Sequence, residues 1–200
     1  MAPLPPATYH DLEIQSFLRF VENGKQKGTR SPPWDSENEE CYFLPYPDLR
    51  QYFADNERLS TLLKAALKSQ GPLSVAKSDI RAGYSNVFAT LISIGRGEYI
   101  EIFVRRDGLS DAKLPFYQRP VDFPQTEPDF FEEFYKRQWT FCAPPMTYQR
   151  STEWDVHRTL PIVGKVALGS GGSSVTYKID IHPAYDRLDA RRTADEVSRT

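Results

Sequence analysis

The chain has 200 residues, which suits one domain, or one domain and part of a second. Its net charge of −2 at pH 7 argues against nucleic acid as a partner, because neutralising phosphates requires a basic face. The apolar (40%) and charged (26%) fractions are those of an ordinary soluble globular protein.

The start of the chain has neither the charged beginning nor the continuous apolar run of a signal peptide. The most apolar window, Val87–Ile94, is far too short to span a bilayer. Cys41 and Cys142 lie far apart and show no metal-ligand spacing, so we interpret them as reduced thiols. Together these features predict an intracellular protein without membrane contact, in either the cytoplasm or the nucleus.

The first part of the chain shows helical patterns. Thr8 and Asp11 resemble a helix cap, and Gly24 ends the first predicted helix. The polar segment from Lys25 to Glu40 predicts a surface loop. A second helix is predicted to start near Asp48, and the clearest amphipathic stripe follows: Leu59, Leu62, Leu63, Ala66 and Leu67. Gly71–Pro72 is predicted to end this helix, because proline cannot donate the next hydrogen bond.

Further helices are predicted downstream. A third should run from about Ser78 to Gly95. The pattern of Glu98–Arg106 fits either a strand or a helix. An aromatic stripe at helical spacing predicts buried core positions at Phe130, Phe131, Phe134 and Tyr135. The sequence "QWTFC" is interpreted as a short strand with Trp139 and Phe141 on one face.

The pattern becomes β-like near the end of the chain. After the glycines, four apolar residues alternate strictly with polar ones, at Val175, Tyr177, Ile179 and Ile181. A period of two over eight residues predicts a half-buried strand. Because helical patterns come first and β patterns second, the chain is predicted to be α+β, with two distinct units.

The glycine- and serine-rich stretch within Leu168–His182 admits several interpretations. It lacks the lysine and the following helix of a P-loop, and a dinucleotide fingerprint also requires a helix after the glycines. A flexible linker remains open. The other interpretation is a hairpin whose turn lies over nucleotide phosphates, where missing side chains let backbone amides approach the oxygens.

Protein kinases carry the pattern Gly-x-Gly-x-x-Gly-x-Val between two antiparallel strands. We align Gly169, Gly171 and Val175 with it, and Ser174 stands where the third glycine belongs. The segment Leu160–Leu188 resembles the opening of the kinase domain in a group of fungal protein kinase-like proteins, which carry a helical region before the kinase fold. The upstream segments 86–116 and 138–146 resemble that helical region, and this favours a helix for Glu98–Arg106.

The resemblance implies a helical accessory region over residues 1–137, the start of a kinase-like N-lobe over 138–188, and a disordered or truncated tail over 189–200. It implies ATP as a weakly bound cofactor, with Mg²⁺ only in a complete kinase domain. The residues it assigns to ATP are Gly169, Ser170, Gly171, Gly172, Ser173, Ser174 and Val175, with Val175 packing on adenine and the others over the phosphates.

The departures from the family pattern predict that this chain does not transfer phosphate. No lysine follows Lys178, and neither His-Arg-Asp nor Asp-Phe-Gly occurs in the sequence. Strand alternation points Lys178 away from Val175 and Tyr177, so we interpret it as a solvent-facing lysine. His157 and His182 are interpreted as surface or strand-end histidines. The alternative hypothesis is a non-catalytic interaction module, in which the helical region binds a protein partner.

Overall fold

The structure is a computed structural model that describes residues 9–30, 40–69, 71–125, 128–147, 155, 157–171 and 174–188. The chain is α+β, as the sequence predicted. It forms two compact units: the first comprises the described residues of Met1–Lys25 and Leu44–Cys142, and the second those of Gln26–Phe43 and Ala143–Thr200. The boundary predicted from the sequence lies at residue 138, and residues 26–43, predicted within the helical region, belong to the second unit.

The first unit is helical. Its α-helices are α1 (Tyr9–Gly24), α2 (Tyr46–Ala54), α3 (Asn56–Ala66), α4 (Lys77–Asp79), α5 (Ser85–Ser93), α6 (Ile100–Val104) and α7 (Phe130–Gln138). One hydrophobic core joins them, and its fully buried large side chains include Phe17, Phe53, Leu59, Leu62, Phe88, Phe103 and Phe134. The unit therefore has the continuous core that the apolar stripes predicted.

The second predicted helix is divided in two. Asp55 lies between α2 and α3, where its Oδ1 accepts hydrogen bonds from the backbone amides of Glu57 (2.9 Å) and Arg58 (3.0 Å). Arg81 donates to the carbonyl oxygens of Phe53 (2.7 Å) and Ala54 (3.1 Å), which end α2. The Asp55 carboxylate thus caps the first amides of α3. The Arg81 guanidinium binds the last carbonyls of α2, so the polar backbone groups at the break have partners. Helix α3 also ends at Ala66, before the predicted stop at Gly71.

The third predicted helix contains an irregular turn. A π-helical segment, Ile80–Tyr84, joins α4 to α5, and the hydroxyl of Ser85 donates to the carbonyl of Ile80 (2.8 Å). The α5 amides of Asn86 and Val87 donate to the Asp111 carboxylate at 3.0 and 2.9 Å. Burial raises the pKa of Asp111, and these amide hydrogen bonds oppose that shift.

The segment 98–106 is helical rather than extended, with a 3-10 turn at Gly97–Tyr99 leading into α6. The aromatic stripe on α7 is confirmed at Phe130 and Phe134, which are fully buried, whereas Phe131 and Tyr135 are only partly buried. The predicted strand "QWTFC" is wrong. Gln138 is the last residue of α7, and Trp139–Phe141 form a turn whose aromatic rings are buried. The alternating aromatic residues Trp139 and Phe141 are thus buried in a turn of the helical unit and are not part of a strand.

In its described residues, the second unit forms three two-stranded antiparallel sheets. Its strands are β1 (Gln26–Lys27), β2 (Thr29–Arg30), β3 (Tyr42–Phe43), β4 (Thr159–Leu160), β5 (Ile162–Gly171) and β6 (Ser174–Ile181). Strand β1 pairs with β3, β2 with β4, and β5 with β6. The prediction of a loop from Lys25 onward is therefore wrong for residues 26–30, whose partners lie elsewhere in the chain.

Gly28 lies where two backbone segments of this unit approach each other closely. A Cβ built on Gly28 would lie 2.6 Å from the carbonyl oxygen of Leu160 and 2.7 Å from the Thr159 methyl group. Only glycine lets β2 approach β4 so closely. Across the described ranges, no helix is long and apolar enough to cross a membrane.

Candidate functional site

The glycine-rich stretch forms the tip of the β5–β6 hairpin. Its register pairs Ile162 with Ile181 at the open end and Gly171 with Ser174 at the tip. Two irregularities interrupt the ladder, between Ile162 and Gly164 and between Ala167 and Gly169. Extra residues of this kind bend a strand and increase its twist. The stretch is therefore an ordered hairpin in the described residues, not a linker between separate strands.

The structure brings most of the predicted site residues together at this tip. Gly169 pairs with Thr176, Ser170 with Val175, and Gly171 with Ser174. Gly172 and Ser173 lie outside the described residues. The two described glycines, Gly169 and Gly171, are exposed. The predicted set is therefore contiguous in space as well as in sequence, at the end of a two-stranded ladder.

One detail of the kinase pattern does not hold when it is counted along the chain. Val175 directly follows Ser174, whereas the pattern places its valine one residue later, where this chain has Thr176. Thr176 and Val175 lie on opposite faces of β6, because successive side chains of a strand alternate. The apolar residue at the tip is thus Val175, one position earlier than the pattern requires.

One face of the hairpin carries the alternating apolar side chains of β6. Directly paired residues of an antiparallel ladder share a face, so Tyr177 lies beside Ala167 and Ile179 beside Lys165. Val175 is 48% exposed and Ile179 is 36% exposed. The apolar face of β6 is therefore only partly covered: Tyr177 and Ile181 are half-buried, as predicted, whereas Val175 and Ile179 are more exposed.

Lys178 pairs with Val166 on the opposite face from Val175 and is exposed, as the alternation predicted. Sequence reasoning missed another lysine. Lys165 lies on the same face as Tyr177, and its Nζ stands 3.9 Å from the centre of the Tyr177 ring. A cation over an aromatic ring is a favourable contact. The strand register reveals this contact, because it places Lys165 opposite Ile179 and therefore diagonally across from Tyr177 on the same face.

The open end of the hairpin is held by the rest of the second unit. Ile162 is buried, and its carbonyl oxygen accepts a hydrogen bond from the Thr29 hydroxyl (3.2 Å). The ring of Phe43 packs edge-on against Tyr185, with ring centres 5.4 Å apart. His182 directly follows β6, and its Nδ1 accepts from the Ala184 amide (3.2 Å), so this nitrogen stabilises the turn. The hairpin is thus anchored at its base and open at its tip.

Cys41 is a buried thiol of the second unit. Burial raises the pKa of Cys41, although Arg30 and a hydrogen bond with Thr159 oppose the shift, so the thiol form is favoured. Among the described residues, no three histidine, cysteine, aspartate or glutamate side chains form a group that would hold a metal ion.

Comparison of the chain with protein-family models, with curated proteins and with solved structures found no match. The kinase resemblance therefore depends only on the residues of the segments 86–116, 138–146 and 160–188.

Proposed function

We propose that this chain is a protein kinase-like module whose β5–β6 hairpin covers the phosphates of ATP through its backbone amides. The observation that carries the proposal is the antiparallel hairpin in which Gly169 and Gly171 lie next to the turn, with Val175 on its apolar face. A kinase glycine-rich loop also lies over its nucleotide as the turn of an antiparallel hairpin, with its valine one residue later than Val175.

The environment of the glycines supports the proposal. A Cβ built on Gly169 or Gly171 would meet nothing within 4 Å, and neither residue has the left-handed backbone that favours glycine. The fold of the chain itself therefore does not require glycine at these two positions. Close approach of an external group to the backbone, as by a phosphate, would require it.

The chain does not carry the residue pattern that phosphoryl transfer by a protein kinase requires. Positioning and charge stabilisation supply nearly all the catalysis of that reaction. Lys178 lies on the wrong face of β6, and the sequence contains no Asp-Phe-Gly or His-Arg-Asp. We therefore expect no phosphorylation by this chain, and ATP binding weaker than about 1 mM, equivalent to a net binding free energy of ~4 kcal/mol.

The test is an NMR titration of the whole chain with Mg-ATP, which detects millimolar binding residue by residue. We expect saturable shifts of the Gly169 and Gly171 amides that are lost in Gly171→Val. The matched control is Gly71→Val, because a Cβ at this loop glycine of the helical unit also meets nothing within 4 Å. If the hairpin amides do not respond to Mg-ATP, the hairpin is not a nucleotide loop.

The second candidate is a non-catalytic interaction module built on the helical unit. Val121 (96% exposed) and Tyr117 (50% exposed) favour it, since both are large apolar side chains in the segment between α6 and α7. A protein partner that binds the chain should lose affinity in a Tyr117→Ser, Val121→Ser double variant and keep it in Gly171→Val. Equal affinity of the partner for the original chain, the double variant and Gly171→Val would reject Tyr117 and Val121 as the binding site.

A further inference from the structure

A second site candidate lies in the helical unit, away from the hairpin. A surface cleft of about 390 Å³ is lined by Ser93, Ile94, Glu133, Lys136, Arg137 and Thr140. These residues come from the end of α5, from α7 and from the turn after it. The volume lies within the range of small-ligand sites.

The charges around this cleft favour an anion. Glu133 is the one carboxylate that lines it, and its Oε2 is 3.8 Å from Nε of Arg96. Lys136 and Arg137 are exposed, and the described residues give neither side chain an ion-pair partner. Two cations and one carboxylate thus line the cleft, and the carboxylate also lies near Arg96. Their sum gives the cleft a positive potential.

These cations also have a structural role, because Lys136 and Arg137 lie in the last turn of α7 and complement its carbonyl end. That role does not account for Ser93. Its hydroxyl oxygen is buried and has no hydrogen-bond partner in the part of the chain that the structure describes. A buried hydroxyl without a partner is costly, so it points to a group that is supplied from outside the chain.

Thr140 places a second hydroxyl on the cleft wall. Its backbone amide donates to the carbonyl of Arg137 (3.1 Å), and its carbonyl accepts from the Leu44 amide (2.8 Å). Both main-chain groups are therefore occupied, and the turn that carries the Thr140 side chain is held in place.

We propose that this cleft binds a phosphate group, with Lys136 and Arg137 supplying the charge and the Ser93 hydroxyl donating a hydrogen bond. A tetrahedral oxyanion suits these groups, because it accepts several charge-assisted hydrogen bonds from different directions. The site is independent of the hairpin and of the nucleotide function proposed for it.

The test is an NMR titration of the whole chain with inorganic phosphate, at constant ionic strength maintained with chloride. We expect the amides of Ser93, Ile94 and Thr140 to shift saturably, with a dissociation constant of about 1–10 mM. The Lys136→Ala, Arg137→Ala double variant should weaken binding about tenfold or more, because it removes two charged partners. Lys113→Ala is the control, since Lys113 is an exposed lysine of the same unit outside the cleft.

Ser93→Ala gives a second readout that the structural role of the two cations does not affect. Without phosphate it should leave the protein as stable as before or more stable, because it removes an unpartnered buried hydroxyl. With phosphate it should weaken binding several-fold. A parallel titration with glycerol phosphate distinguishes free phosphate from a phosphate monoester as the ligand: tighter binding of the ester indicates that the cleft also contacts the organic part.

Two results would overturn the proposal: no saturable shift at Ser93 and Thr140, or equal weakening by Lys113→Ala and by the double variant. Gly171→Val should leave phosphate binding unchanged. The failure of this site is therefore separable from the failure of the hairpin as a nucleotide loop.

Discussion

Gln138 shows how one side chain holds a long segment of the helical unit. It is fully buried at the end of α7. Its Nε2 donates to the carbonyl of Phe116 (3.0 Å), and its Oε1 accepts from the amide of Phe116 (2.8 Å). Both backbone groups of a buried residue 22 positions away are thus satisfied by one amide side chain.

We expect Gln138→Leu to lower the free energy of unfolding by ~1–3 kcal/mol, because it leaves the buried amide and carbonyl of Phe116 unpaired. Urea denaturation of the whole chain measures this. The control is Gln51→Leu, which makes the same change at an exposed position of α2 and should have little effect. Equal midpoints for the two variants would contradict the role of Gln138.

We expect the Asp55 carboxyl to make the stability of the folded chain depend on pH in the acid range. Hydrogen bonds from the amides of Arg58 and Glu57 lower the pKa of its carboxyl below the ordinary value of 3.8. A lowered pKa in the folded state stabilises the protein above the unfolded pKa, and this stabilisation is lost as the pH falls through the folded value.

Asp55→Asn should keep an acceptor at the N-cap and remove this titration. The difference in stability between about pH 6 and about pH 3 should therefore be smaller in the variant than in the original chain. Chemical denaturation at the two pH values measures it, and the contribution of Asp111 cancels because both proteins contain it. A larger pH dependence in the variant would contradict the assignment.

At the scale of elements, α3 and the β5–β6 hairpin differ in what covers them. Leu59, Leu62 and Leu63 of α3 are completely buried in the core of the helical unit. On the hairpin, by contrast, Leu168 is 66% exposed. The free energy of burial scales with the apolar area removed from water, so equal side chains contribute unequally in the two elements.

Leu63→Ala should destabilise the helical unit by ~2–5 kcal/mol, as large-to-small changes in a packed core do. Leu168→Ala is the matched control, since it removes the same atoms from an exposed strand and should cost far less. Circular dichroism at the helical band, followed through denaturation, reports on the unit that contains α3. An unchanged midpoint for Leu63→Ala would remove α3 from the core.

At the scale of the whole molecule, the two units rest on different sources of stability. The helical unit buries a continuous aromatic and aliphatic core, whereas the hairpin of the second unit is a two-stranded ladder with an exposed apolar face. An isolated two-stranded ladder is marginally stable in water. The two units should therefore open with different free energies.

Native-state hydrogen exchange tests this difference. We expect the amides of Val175–Ile181 to exchange much faster than those of Leu59–Leu63, although both sets belong to regular structure. The amide of His182, which donates to the carbonyl of Pro161 (2.9 Å), lies at the anchored base and should exchange more slowly than those at the tip. Uniform protection of both units would contradict this picture.

Local patterns were enough to predict α1, the helical stripe of α3 and the hairpin, because backbone hydrogen bonding and side-chain periodicity are interactions between near neighbours in the chain. The start and end of α1, the helical stripe of α3 and the alternation in β6 all depend on residues within a few positions of one another. The residues at the glycine-rich tip were predicted for the same reason. What they bind stays a prediction.

Contacts between residues far apart in the sequence determined the features that local patterns did not predict. Arg81 reaches back to the carbonyl of Phe53, where a helix that periodicity makes continuous is divided. Strand β2 forms only because Thr159–Leu160 lies beside it, about 130 residues later in the chain. The exposure of Val175 likewise depends on which other parts of the chain pack against the hairpin. Alternation indicates the face on which a side chain lies, but not what covers that face. Only the folded chain brings such groups to bonding distance, because their proximity is created by packing and not by their separation in sequence.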